Sequence, residues 1–143
     1  MKRVYQRTGA LAGENGDCFA ACIASLLELR LDDVPSFYAT ATNGVRLSDK
    51  ARAEMASWFK GRGTYYVEFG FHMPFPLALA HMSGEYPGLT YIVVGSTYAG
   101  KVHAALARDG AVVHDPATSV GHTILERSCN DGHTRIGFIA LAL

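Results

Sequence analysis

The order of apolar and polar positions divides the chain into a helical first part and a strand-rich second part. Apolar residues recur at helical spacing over residues 18–29, where Phe19, Ile23 and Leu26 share one face. Further helices are predicted for residues 49–60, between a Ser48 cap and Gly61, and for residues 75–82. Strands are predicted for residues 3–6, 64–69, 89–95, 102–108, 111–114 and 135–143.

This order of elements indicates the fold class. The intervals between the last strands are too short for helical crossovers, which excludes a doubly wound sheet. We therefore expect an α+β fold in which N-terminal helices pack on one face of an antiparallel sheet formed mainly by the C-terminal half. The 143 residues suit one domain that spans residues 1–143.

Composition and charge narrow the function classes. The 13 basic and 13 acidic residues cancel, and no Lys/Arg run exceeds two residues, so neither nucleic acid nor an anionic membrane is an expected partner. No apolar run is long enough to span a bilayer, and no signal peptide is recognised at residues 1–6. The three cysteines have no disulfide-scaffold spacing, so free thiols and a cytoplasmic location are expected.

Cys18 is the candidate nucleophile. Asp17 is a good N-cap, so Cys18 falls in the first helical turn, where unpaired N–H groups and the helix dipole favour a thiolate. The alternative is a buried cysteine that acts as a small hydrophobe, the role expected for Cys22 on the same helix face. A nucleophilic cysteine needs a base and a group that orients the base.

Residues 102–114 are predicted to form a hairpin, which contains a candidate base, His103, and is followed directly by a candidate orienting group, Asp115. A two-residue turn at Asp109-Gly110 would place His103 and Asp115 on opposite faces. A three-residue loop, 108–110, with Gly110 left-handed would place them directly opposite each other, close enough for the carboxylate to hold the imidazole. We therefore predict the three-residue loop, with the small residues around His103 leaving room for the start of the Cys18 helix.

The order of the candidate residues resembles that of the papain-like cysteine peptidases. In both, a cysteine begins the first long helix, a histidine lies on a later strand, and an Asp follows on the next strand, here within an Asp-Pro pair. The resemblance is greatest to small bacterial and phage forms similar to the bacteriocin-leader-processing peptidases. It covers residues 15–29 and 103–116. It implies Cys18 as nucleophile, His103 as general base and then acid, and Asp115 as the orienting group, with a peptide or protein substrate, a thioester intermediate and no cofactor.

Two positions depart from that family pattern. The glutamine that usually completes the oxyanion hole, six residues before the cysteine, is replaced by Ala12, and the following glycine by Phe19. Gln6 or Asn15 is the candidate to supply the missing amide, with Gln6 slightly favoured. These two departures also favour an alternative interpretation, a non-catalytic binding module with the same fold.

Other interpretations are also open. The stretch Asn15 to Phe19 is similar to that of ovarian-tumour-type deubiquitinases, and acyl transfer to an amine is as compatible with the chemistry as hydrolysis. Cys129 and His133, with His122 nearby, have a metal-like spacing, but zinc sites usually show two close ligand pairs, so no metal is expected. The aromatic residues from Tyr65 to Phe75 are expected in the core.

Overall fold

The computed structural model describes residues 1–7, 17–38, 47–97, 102–117, 128–129 and 132–142. Within these ranges the chain is an α+β protein with a five-stranded antiparallel sheet. The helices are α1 (Cys18–Leu27), α2 (Asp49–Lys60) and α3 (Phe75–Glu85), with a 3-10 turn at Leu31–Asp33. The strands are β1 (Thr64–Phe71), β2 (Tyr91–Ser96), β3 (Val102–Arg108), β4 (Ala111–His114) and β5 (Thr134–Leu141).

The sheet has the strand order β1-β5-β2-β3-β4, so the last strand lies between the first two. β5 pairs with all eight residues of β1, from Thr64 opposite Leu141 to Phe71 opposite Thr134. The expected first strand at residues 3–6 is wrong, because these residues join no ladder. They lie instead against α1 and the end of β4, where Val4 and Gln6 make their main-chain hydrogen bonds.

The first two helices cover one face of the sheet. Phe19 and Ile23 of α1 and Met55 and Phe59 of α2 are buried against alternate residues of the central strands, which are Ile92, Val94, Ala104 and Leu106. Local sequence explains the helix bounds. Ser48 accepts a hydrogen bond from the backbone N–H of Ala51 and begins α2, as predicted.

The third helix covers the opposite face, which corrects the expectation of helices on one face. Phe75, Leu79 and Met82 of α3 pack against the other set of alternate residues, which are Tyr91, Val93, Ala105, Ala107 and Ile136. The small side chains of Ala105 and Ala107 therefore make room for α3 and not for α1. No helix in the described ranges is long and apolar enough to cross a membrane.

Candidate active site

Cys18 is the first residue of α1 and is half-buried. Asp17 stands at the N-cap position as predicted, but its side chain does not cap the helix. Its carboxylate accepts hydrogen bonds from the backbone N–H of Arg7, at 3.1 and 3.3 Å. Asp17 therefore ties the N-terminal segment to the start of the helix, immediately before the candidate nucleophile.

The hairpin that carries His103 has a two-residue turn, so the predicted three-residue loop is wrong. Arg108 pairs with Ala111, which leaves Asp109 and Gly110 as the turn. Their φ angles of 50° and 83° are both positive, as a type I′ turn requires. Gly110 is left-handed, as predicted, but in a different turn.

The β4 strand contains a β-bulge. The register changes from Ala107 opposite Val112 to Leu106 opposite His114, so Val113 is an extra residue in β4. Asp115 directly follows β4, and its Oδ1 lies 2.7 Å from Nε2 of His103. The predicted contact between the two side chains is therefore present, but in a hairpin with a two-residue turn and a bulge.

His103 binds the other two members of the predicted triad. Its Nε2 lies 2.7 Å from Oδ1 of Asp115, and its ring also hydrogen-bonds the side chain of Cys18. Since Nε2 is occupied by Asp115, Nδ1 is the nitrogen left for the sulfur. Asp115 Oδ1 also accepts the backbone N–H of Ala117 at 2.9 Å, so the same carboxylate binds His103 and the backbone that follows Pro116.

The surroundings keep His103 protonated. Burial, with 5% of the side chain exposed, opposes the charged imidazolium. The hydrogen bond to Asp115 and then the contacts with Cys18 outweigh it and raise the pKa of His103 from 6.5 to about 9. A histidine that contacts a cysteine on one side and a carboxylate on the other is an arrangement that can support nucleophilic catalysis.

The other two cysteines are structural. Cys22 is fully buried, and desolvation, followed by the neighbouring Cys18, raises the pKa of its thiol well above the ordinary value. The Cys129 thiol is buried and donates to the carbonyl of Val94 at 3.7 Å. None of the three cysteines, all of which are described, forms a disulfide, and Cys18 is the most exposed of them.

The histidines considered for a metal have a different arrangement. His133 Nε2 lies 2.7 Å from Nε2 of His72, and the carbonyl of His133 accepts the backbone N–H of Cys129 at 2.6 Å. Within the described ranges, no three His, Cys, Asp or Glu side chains are grouped as metal ligands. His122 lies outside the described residues.

Gln6 is held beside the triad by its main chain. Its backbone N–H donates to the carbonyl of Pro116 at 3.1 Å, next to Asp115, and its neighbour Arg7 is bound by Asp17. Gln6 is buried, with 6% of its surface exposed. Asn15, the other candidate for the oxyanion hole, lies outside the described residues.

The sequence interpretation missed a polar cluster that lies near Cys18. Tyr66 donates to Oε2 of Glu68 at 2.8 Å, and Arg135 Nη1 lies 3.8 Å from Oε1 of the same carboxylate. Tyr38 lies close enough for Glu68 and Cys18 to affect it: burial, followed by Glu68, raises its pKa to about 12. The alternation of Tyr66 and Glu68 along one strand was the only local signal for this cluster.

Only some of the aromatic residues from Tyr65 to Phe75, which were expected in the core, are buried. Phe75 is buried, whereas Tyr65 and Phe69 are 50% and 44% exposed. Tyr66 faces α2 and contacts Phe19 and Phe59.

Comparison of the chain with family models, with curated proteins and with solved structures gives no match.

Proposed function

We propose that this protein is a thiol-dependent amide hydrolase with a papain-like fold, acting on a peptide or protein. The observation that supports the proposal is the imidazole of His103, which is bound by Asp115 at 2.7 Å and by Cys18. Nucleophile, base and orienting group come from three separate segments and converge on one ring, which is the arrangement that nucleophilic catalysis requires.

In the proposed reaction, the Cys18 thiolate attacks the amide carbonyl carbon and forms a C–S bond. The protonated His103 then gives its proton to the amine nitrogen as the C–N bond breaks, which leaves a thioester. Water, deprotonated by His103, attacks the thioester and releases the acid and the thiol. An amine in place of water would give acyl transfer by the same route.

The developing oxyanion needs donors at the start of α1. The backbone N–H of Cys18 is one of the N–H groups that a helix leaves without an intrahelical acceptor. The Gln6 side-chain amide is the proposed second donor, because its backbone is held at Pro116 and its neighbour is held at Asp17.

The test is the reactivity of the three thiols towards iodoacetamide near neutral pH, followed by mass spectrometry of peptides. We expect Cys18 to be alkylated at least about tenfold faster than Cys22 or Cys129, because a thiolate reacts and a buried thiol does not. His103→Ala should remove most of this difference. Hydrolysis of a mixed peptide pool should be lost in Cys18→Ala and retained in Cys129→Ala.

Two results would contradict the proposal. If Cys18 reacts no faster than Cys129 in the folded protein, the chain is better described as a binding module. If the peptide pool is cleaved equally by Cys18→Ala, the nucleophile is another residue.

A further inference from the structure

A cleft of about 660 Å³ opens between α2 and β1. This volume is in the range of ordinary ligand sites. Its walls combine aromatic rings with charged groups: Tyr38, Phe59 and Tyr66 line it together with Arg52, Lys60, Glu68 and Arg135. The floor is the polar cluster of Tyr66, Glu68 and Arg135 described above.

Two tyrosines of the cleft contact the residue that follows Cys18. Phe19, which follows Cys18, contacts both Tyr38 and Tyr66, with ring centroids 4.8 and 5.4 Å apart. These two tyrosines also line the cleft. An occupant of the cleft is therefore close to the start of α1.

Sheet register gives the backbone distance between Arg135 and the strand that carries His103. Val94 pairs with Ala104 on one side and with Arg135 on the other, so Arg135 and the neighbour of His103 lie in one row across the sheet. The two positions are two strands apart, about 10 Å at the usual strand spacing of about 4.8 Å. An extended peptide covers that distance with about three residues, at about 3.3 Å per residue.

The charges of the lining are unequal. Arg52, Lys60 and Arg135 carry three positive charges and Glu68 carries one negative charge. Glu68 is already bound by Tyr66 and Arg135, whereas Arg52 and Lys60 are exposed side chains of α2. The cleft therefore attracts an anionic group.

We propose that this cleft is the specificity site of the enzyme and that it receives an acidic side chain of the substrate, about three residues from the bond cleaved. The inference rests on the proposed function, because it takes Cys18 as the position of the reacting carbonyl. Arg52 and Lys60 supply the positive charge that attracts the carboxylate, and the tyrosine rings contact the aliphatic part of the same side chain.

The experiment uses short peptides that carry a chloroacetyl group on the amino terminus or on a C-terminal diaminopropionate. The Cys18 sulfur displaces chloride and forms a C–S bond, so the alkylation rate reports on peptide binding without hydrolysis. Pairs of peptides differ only by Glu or Gln, placed at each of the first four positions from the electrophile. Iodoacetamide measures the intrinsic reactivity of Cys18 in the same variants.

At the best position we expect the Glu peptide to react about fivefold faster than the Gln peptide, which is the effect that two partly exposed charge pairs supply. This ratio should decrease when salt is added, because salt screens the charges. The double variant Arg52→Gln, Lys60→Gln should bring the ratio close to one while its reaction with iodoacetamide is unchanged. Lys50→Gln, on the same helix but outside the cleft, should keep the native ratio.

The outcomes separate the two proposals. A ratio of one at every position and in both peptide orientations, with Cys18 still reactive towards iodoacetamide, overturns the acidic specificity and leaves the hydrolase intact. A native ratio in the double variant also overturns it. Slow reaction of Cys18 with iodoacetamide itself contradicts the proposed function instead.

Discussion

His103 keeps its proton because two partners outweigh the cost of its burial. The pKa of its side chain in the folded protein is about 9, against an ordinary value of 6.5. A raised histidine pKa means that the folded state binds the proton more tightly than the unfolded state. The resulting stabilisation is fully present below pH 6.5 and is lost as the pH rises through about 9.

The free energy of unfolding of the native protein should therefore decrease between pH 6.5 and 9. The decrease should be smaller in Asp115→Asn, because this substitution removes the largest interaction that raises the pKa of His103. Urea unfolding of both proteins at half-unit pH steps measures the difference. Asp33→Asn, an exposed carboxylate far along the chain, is the control and should follow the native curve. Parallel curves for the native protein and Asp115→Asn would contradict the assignment.

Gly137 is a second residue whose identity is fixed by one neighbour. A Cβ at this position of β5 would overlap the ring and hydroxyl of Tyr66, the residue that donates to Glu68. The absence of a side chain at Gly137 leaves space over β5 for the ring and hydroxyl of Tyr66.

Gly137→Ala should therefore lower the free energy of unfolding by about 1–3 kcal/mol, the usual cost of overpacking, and should weaken the preference for the Glu peptide. Gly70→Ala on β1 is the matched control, because a Cβ there meets nothing within 4 Å. Chemical denaturation gives the stabilities. Equal effects of the two substitutions would show that Tyr66 moves away without cost.

At the scale of the elements, the β3–β4 hairpin shows what local sequence can and cannot predict. The strand limits were predicted correctly, because alternating residues and an Asp-Gly turn are local signals. The loop length was wrong, because a bulge at Val113 changes the register, and Val113 packs against a cluster of residues that are distant in the sequence. A requirement that two side chains share a face does not specify which irregularity achieves it.

Gly110→Ala should lower the free energy of unfolding by about 1 kcal/mol, because φ is 83° at this position and side chains disfavour that region. The added Cβ would meet Ser83 at an ordinary 3.5 Å, so the cost is in the backbone. Thermal or urea unfolding measures it. Gly84→Ala inside α3 is the contrasting control and should be neutral or stabilising. A stabilised Gly110→Ala would exclude backbone strain.

At the scale of the whole molecule, the N-terminal segment joins the helix and the hairpin of the site. The backbone N–H of Val4 donates to Ser25 Oγ at 3.0 Å on α1, and its carbonyl accepts from His114 Nε2 at 2.8 Å on β4. Residues 1–7 thus connect the element that carries Cys18 with the element that leads to Asp115.

Ser25→Ala should lower the free energy of unfolding by about 1–3 kcal/mol, since it leaves the buried N–H of Val4 without its acceptor. It should also slow alkylation of Cys18 if the segment helps to position the site. Ser57→Ala on the exposed side of α2 is the control. Native stability in Ser25→Ala would show that another group accepts the Val4 N–H.

The site was predictable only in part, because some of its residues have local sequence signals and others come together only through the strand order. Cys18, His103 and Asp115 stand at positions with local signatures: a helix start, a strand and an Asp-Pro turn. Tyr38, Tyr66 and Arg135 come from a turn and two distant strands, and their proximity depends on β5 lying beside β1. No spacing along the chain indicates such a cluster before the strand order is known.

The position of β5 also determines when the sheet can form during synthesis. Among the described residues β1 pairs with β5 and with no other strand, and about seventy residues separate their paired positions. A nascent chain that ends before residue 134 has the triad segments but leaves β1 unpaired, and it lacks Arg135. Closure of a loop this long favours slow folding and prolongs the exposure of an unpaired strand. Cys18, His103 and Asp115, the proposed triad, are thus all synthesised before the strand that completes the proposed specificity cleft.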